Sequence, residues 1–151
     1  MKKRNILYLM ACLVVFSLLL GNCNKDDDNE QLSSMTATIE GSSWSATNYA
    51  YNIVSDTLTS IIGWNGSAYL GLNLMNVTGA GNYDLGIHAP NTGTYSEDGQ
   101  ATFYVSRQGW AEITENSATR LKGTFEFLAV KSATSDTILV DNGSFDVLKS
   151  D

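Results

Sequence analysis

The chain has 151 residues with one proline, two cysteines, one histidine and a net charge of −7, a length that suits a single domain of roughly 100–200 residues. Nine basic against sixteen acidic side chains exclude a general nucleic-acid binder, because phosphate neutralisation needs clustered Lys and Arg. So few cysteines and histidines exclude a disulfide scaffold, a Cys-based zinc site and a multi-His metal centre, and no cofactor is expected.

Lys2, Lys3 and Arg4 open the chain, and residues 6–20 follow as a stretch that is apolar but for Ser17. A positive start, a short apolar stretch and a small-residue exit form the pattern of a secretory signal peptide. The stretch is too short for a spanning helix, which needs about 20 apolar residues. Its exit, Leu20-Gly21-Asn22-Cys23, resembles the lipobox of bacterial lipoprotein signal peptides. In that family the cysteine receives a diacylglyceryl thioether and becomes the first residue after cleavage. The resemblance implies removal of residues 1–22, Cys12 among them, and a lipid anchor on Cys23. The remaining chain then carries 6 basic and 16 acidic side chains, a net of −10, and no thiol for a cysteine nucleophile.

Residues 23–34 read as a lipidated cysteine on an acidic tether. Leu32 is the one large apolar side chain after Cys23, beside Asp26, Asp27, Asp28 and Glu30. Such a stretch buries too little to offset its ordering entropy. Lys25 followed by Asp26, Asp27 and Asp28 resembles the export signal of surface lipoproteins in Bacteroidota. That resemblance implies placement at the outer membrane, facing the cell exterior. The acids lack the glycine turn and distal Glu of an EF-hand-type calcium loop.

Residues 35–151 form the folded domain, and there the periodicity is two. Residues 35–39 open it, Glu40-Gly41 marks a tight turn, and a second run starts at Trp44. Tyr49, Tyr51 and Ile53 then share a face. Residues 58–64 and 68–75 flank Asn65-Gly66, the strongest local hairpin signal because both central residues need positive φ. The glycine-rich region 76–101 carries a short strand near 82–86 and then a loop. Further strands are expected at 101–106, 110–114 and 121–130. Residues 137–140 and 145–148 flank Asn142-Gly143, which reads as a second hairpin. No helical periodicity supplies the crossovers that parallel strands require. The expectation is an all-β domain, an antiparallel β-sandwich or β-barrel of about 8–10 short strands. Its expected core is Leu70, Leu72, Leu74, Phe103, Val105, Phe125, Phe127, Ile138, Val140, Phe145 and Val147. Each such side chain contributes roughly 1.5–3 kcal/mol on burial.

The segments 110–114, 121–127 and 138–147, with 37–41 and 44–46 at the front, resemble a group of small Bacteroidota lipoproteins of unknown function. The resemblance implies an exported all-β domain and no activity.

Candidates for chemistry are few. His88 is the single histidine and sits in a loop, with no nucleophile elbow to serve. Glu112, Glu115 and Glu126 are candidates for a carboxylate-based hydrolase, which needs two acids about 5–10 Å apart across a cleft. Alternation with apolar neighbours places Glu112 and Glu126 on the solvent face of strands, and no enzymatic activity is expected. Trp44, Trp64, Trp110, Tyr69 and Tyr104 are the candidate ligand-binding residues, since exposed aromatics offer stacking faces to sugars or an apolar cup to a lipid. Tyr69 and Tyr104 lie opposite in phase to the neighbouring aliphatic stripes. The function expected is a non-catalytic binding module, lipid-anchored at the outer membrane, with a partner protein or envelope component (an envelope protein or glycan) to bind. The alternative is a binder of a glycan or small apolar ligand.

Overall fold

A computed structural model describes residues 33–149 except Asp56, Ser67, Gln100, Ala101 and Ser132, and only the backbone of residues 49–55. The signal peptide, Cys23, and the export signal at Lys25, Asp26, Asp27 and Asp28 lie outside the described residues.

The domain is all-β: one antiparallel sheet curled into a half-barrel. Its strands are β1 (Ser34–Ile39), β2 (Ser42–Ser45), β3 (Asn48–Ser55), β4 (Leu58–Asn65), β5 (Ala68–Met75), β6 (Gly81–Gly86), β7 (Thr92–Ser96), β8 (Tyr104–Asn116), β9 (Arg120–Lys131) and β10 (Thr137–Leu148). The spatial order is β2-β1-β10-β9-β8-β7-β5-β4-β3, with β6 on β8 beside β7.

Two turns follow directly from local chemistry. Glu40 and Gly41 both have positive φ, at 48° and 78°, and Ile39 pairs with Ser42 across them. This is the two-residue turn whose twist matches flanking strands. Gly66, at φ 60°, stands in the connection that pairs Asn65 with Ala68.

The second Asn-Gly pair does something else. Residues 137–148 form one strand, so the expected hairpin there is a bulge instead. Asn142 takes φ 47°, the register shifts between Val140 and Gly143, and Gly143 then pairs with Phe125. One extra residue in a continuous strand satisfies the left-handed position as well as a chain reversal does.

β8 likewise joins two expected strands through a bulge between Ser106 and Gln108. Before it, Val105 and Tyr104 pair with β7; after it, residues 108–113 pair with β6. β9 runs along the other edge throughout. The expected loop after residue 86 contains β7, which follows a tie through Asn91. The buried Asn91 side chain accepts from the Met75 N–H at 2.8 Å and donates to the Asp84 carbonyl at 2.9 Å.

The inner face is the core. Leu70, Leu72 and Leu74 of β5 meet Ile61 of β4, Ile113 of β8, Phe125 and Phe127 of β9, and Val140, Phe145 and Val147 of β10, all nearly inaccessible. Met35 and Trp44 close one side of it, packed against the space over Gly63.

Two expected core residues are on the other side. Phe103 and Val105 are 36% and 38% exposed. Aliphatic alternation is symmetrical, so a strand with bulky residues in both phases does not reveal its inward face. Here the inward phase belongs to Tyr104, whose partner across β7 is the buried Tyr95, and to Ser106. The Ser106 hydroxyl accepts the Gly93 N–H at 2.9 Å.

Candidate functional site: the outer face of the sheet

The structure separates the five candidate aromatics into four places. Trp44 is buried on the inner face, 9% exposed. Its Nε1–H is buried with no partner among the described residues. Trp44 forms a wall of two hollows. One, about 300 Å³, also touches Ile39, Glu40, Tyr95 and Glu97. The other, about 340 Å³, lies against Thr36, Thr38, Ser43, Ser45 and Asn142.

Tyr104 stands at the inner rim. Its ring lies 6.3 Å from that of Tyr95, and Lys131 Nζ lies 5.6 Å from its centroid. Tyr104 is therefore in phase with the core, opposite to the sequence expectation. Its cation contact is supplied within the chain. Burial pushes the Tyr95 hydroxyl pKa up, and the nearby Glu97 and Tyr104 add to the rise.

Trp64 and Tyr69 share the outer face as direct cross-strand partners on β4 and β5. Phe103 meets Tyr69 edge to face at 5.8 Å, a preferred geometry for two rings. Burial raises the Tyr69 hydroxyl pKa, and a hydrogen bond with Thr94 opposes this. Adding a Cβ to Gly71 would bring it within 2.9 Å of that hydroxyl, so the tyrosine lies along the sheet over the glycine.

Phe103 enters this cluster from a loop held by Asp98. The Asp98 carboxylate accepts from the Ser96 hydroxyl at 2.9 Å, and from the Thr102 N–H and hydroxyl at 3.1 Å each. These donors, Ser96 first, hold the Asp98 pKa below the ordinary value. A depressed folded-state pKa means that the ionised form stabilises the loop above the unfolded value. That contribution is lost as pH falls through the folded value. A carboxyl NMR titration is expected to place the Asp98 midpoint below the reference of about 3.9, and Ser96→Ala to raise it. A midpoint at or above the reference contradicts the network.

Trp110 occupies a different part of the outer face, 40% exposed. It pairs directly with Asp84 on β6 and Glu126 on β9. Glu112, two residues along β8, points the same way, between the buried Ala111 and Ile113. Leu128 and Leu139 are direct partners beside this row, and Leu139 is 41% exposed. Val105 lies further along β8 on the same face, beyond the exposed Arg107 and Gln108, between Thr94 and Val130.

The carboxylates weighed for hydrolysis stand on the outer face of the sheet or beside a lysine. Glu112 and Glu126 are exposed on this open outer face, and Glu115 is 3.3 Å from Lys122. His88 is exposed in the β6–β7 loop. No group of three His, Cys, Asp or Glu among the described residues is placed to hold a metal ion.

The sequence singled out Trp110, Glu112 and Glu126 separately, and Asp84 and Leu139 not at all. Only the register between β6, β8, β9 and β10 brings them to one surface.

Residues 31–148 match the model of a family described as a domain of unknown function, DUF6252. No curated protein and no solved structure matches the chain.

Proposed function

We propose that this chain, which belongs to the DUF6252 family, is a non-catalytic binding module fastened to the outer membrane by a lipid on Cys23, and that it engages its partner through the outer face of its sheet. One observation carries the binding reading: Phe103, Val105, Trp110 and Leu139 are all exposed large apolar residues on the face opposite the core. Soluble folds keep few such residues together unless something covers them. The half-barrel satisfies its own core without them, so their placement is not demanded by folding.

The anchor follows from the lipobox-like exit and the acidic leader. Acyl chains contribute about 0.8 kcal/mol per buried methylene, and two chains hold a protein stably at a bilayer. The leader supplies reach: about a dozen extended residues span at most roughly 40 Å. Cell fractionation tests the attachment. The native chain is expected in the outer-membrane fraction with a mass gain from its acyl chains, and Cys23→Ala is expected to lose both. A variant that keeps its acylation and its membrane fraction overturns the reading. Replacing Lys25, Asp26, Asp27 and Asp28 with alanine is expected to protect the domain from protease added to intact cells.

A further inference from the structure

We infer that the partner surface around Trp110 takes a basic polypeptide segment, with a lysine or arginine side chain seated on the Trp110 ring between Asp84 and Glu126. The inference rests on the binding-module reading and adds the chemistry of the partner.

The arrangement is set by register. Asp84, Trp110 and Glu126 stand in one cross-strand row on three neighbouring strands. At about 4.8 Å between strands, the two acids are roughly 10 Å apart with the indole between them. Glu112 follows two residues beyond Trp110 on the same side. Asp84, Glu112 and Glu126 are exposed, and none of them forms an ion pair or side-chain hydrogen bond among the described residues. Two other acids of the sheet are matched. Asp146 holds Arg120 and is 3.6 Å from Lys122, which also reaches Glu115. Arg107, exposed at the β8 bulge, is the cation nearest to Trp110 in sequence and is paired with none of the three acids.

An exposed indole attracts a cation within about 6 Å of its ring, more strongly as the site is desolvated. The chain uses this contact itself, with Lys131 over Tyr104 at the opposite face. At Trp110 the ring and the flanking charge are present without the cation. The apolar partners Leu128 and Leu139 beside the row favour a segment that alternates basic and apolar residues. An extended chain presents such residues to one surface two apart, about 6.6 Å.

Other occupants fit less well. A second copy on this face would set its own acids near these, a like-charge approach that costs affinity. A divalent cation needs oxygen ligands at about 2.0–2.6 Å, far closer together than acids in alternate strands. A neutral glycan would use the ring and leave the excess negative charge uncompensated.

The test uses the full acylated protein in vesicles of neutral phospholipid, with protein-free vesicles as blank. The probe is a short fluorescent peptide alternating lysine with valine, beside its glutamate-for-lysine version and a neutral hexose oligomer. The lysine peptide is expected to bind, and its affinity to fall as ionic strength rises. Trp110→Ala and the double variant Asp84→Asn/Glu126→Gln are each expected to weaken binding by about tenfold or more. Trp110→Phe retains a ring and is expected to lose less, and Glu115→Gln, whose carboxylate already faces Lys122, is expected to change little. The double variant keeps the inference testable if Trp110→Ala perturbs the fold. Failure of the lysine peptide to bind, equal binding of the glutamate peptide, or indifference to these substitutions overturns it. Binding of the hexose oligomer alone, lost in Trp110→Ala, overturns the basic partner and leaves the binding-module reading standing. The lipid anchor of that reading falls separately if Cys23→Ala keeps its acylation and membrane fraction.

Discussion

Phe125→Ala is expected to lower the unfolding free energy by about 3–5 kcal/mol, a large part of the roughly 5–15 kcal/mol that holds a domain folded. Phe125 is 1% exposed and lies at the middle of a row of rings, 6.2 Å from Phe127 and 6.3 Å from Phe145. The loss is large because the residues around it cannot fill the space. Its cross-strand partner is Gly143, and a Cβ there would lie 2.4 Å from the Phe125 ring. Phe145 in turn covers its partner Gly123, and Phe127 covers Gly93. Each ring packs where the facing residue has no side chain, so the layer is ring on backbone. Truncating a ring leaves glycine opposite alanine, and the flanking rings of Phe127 and Phe145 are already seated over glycines of their own. Thermal unfolding is expected to shift down by about 10–20 °C. A loss below about 1.5 kcal/mol in urea titration would show that the row is not the centre of the core.

The same aromatic row explains how much of the fold was legible beforehand. Residues 121–130 and 68–75 alternate cleanly, and their inward residues are those expected. Fold class followed from that alternation and from the lack of helical periodicity. The failures have specific causes. Asn65-Gly66 and Asn142-Gly143 offer the same backbone chemistry, yet one joins two strands and the other bulges within one. Residues 137–140 and 143–148 all pair with β9, and only the length of that partner distinguishes a bulge from a turn. Residues 103–105 place Phe, Tyr and Val consecutively, so either phase satisfies hydrophobicity. The inward phase is chosen by Tyr95 and by the Ser106–Gly93 hydrogen bond, which are distant in sequence. The candidate site suffered most. Trp110 was visible as a strand tryptophan, but its exposure and its flanking acids depend on pairing with Asp84 and Glu126, separated from it by 26 and 16 positions. Pairwise register across three strands is not a local property of any of them.

That dependence makes Gly109 the most informative single position for linking fold to function. Gly109→Ala is expected to cost about 1–3 kcal/mol through overpacking and also to weaken lysine-peptide binding. Gly109 pairs with Phe127. A Cβ on it would lie 2.3 Å from the Glu126 carbonyl oxygen and 2.6 Å from the Phe127 Cα. Those atoms are backbone, so no side-chain rotation relieves the clash, and β8 must move away from β9. Trp110 is the next residue, and Glu126, its partner, is the residue whose carbonyl is struck. The strand shift therefore separates the indole from one of its flanking carboxylates. Gly79→Ala is the matched comparison. A Cβ on Gly79 would have no atom within 4 Å, and its backbone is not left-handed, so stability should stay within about 0.5 kcal/mol and binding should be retained. Chemical denaturation and peptide titration of the two variants test both parts together. If Gly109→Ala is destabilised but binds as the native chain does, the β8–β9 register does not position Trp110 for its partner. If it is as stable as Gly79→Ala, the close approach of the two strands does not constrain the fold.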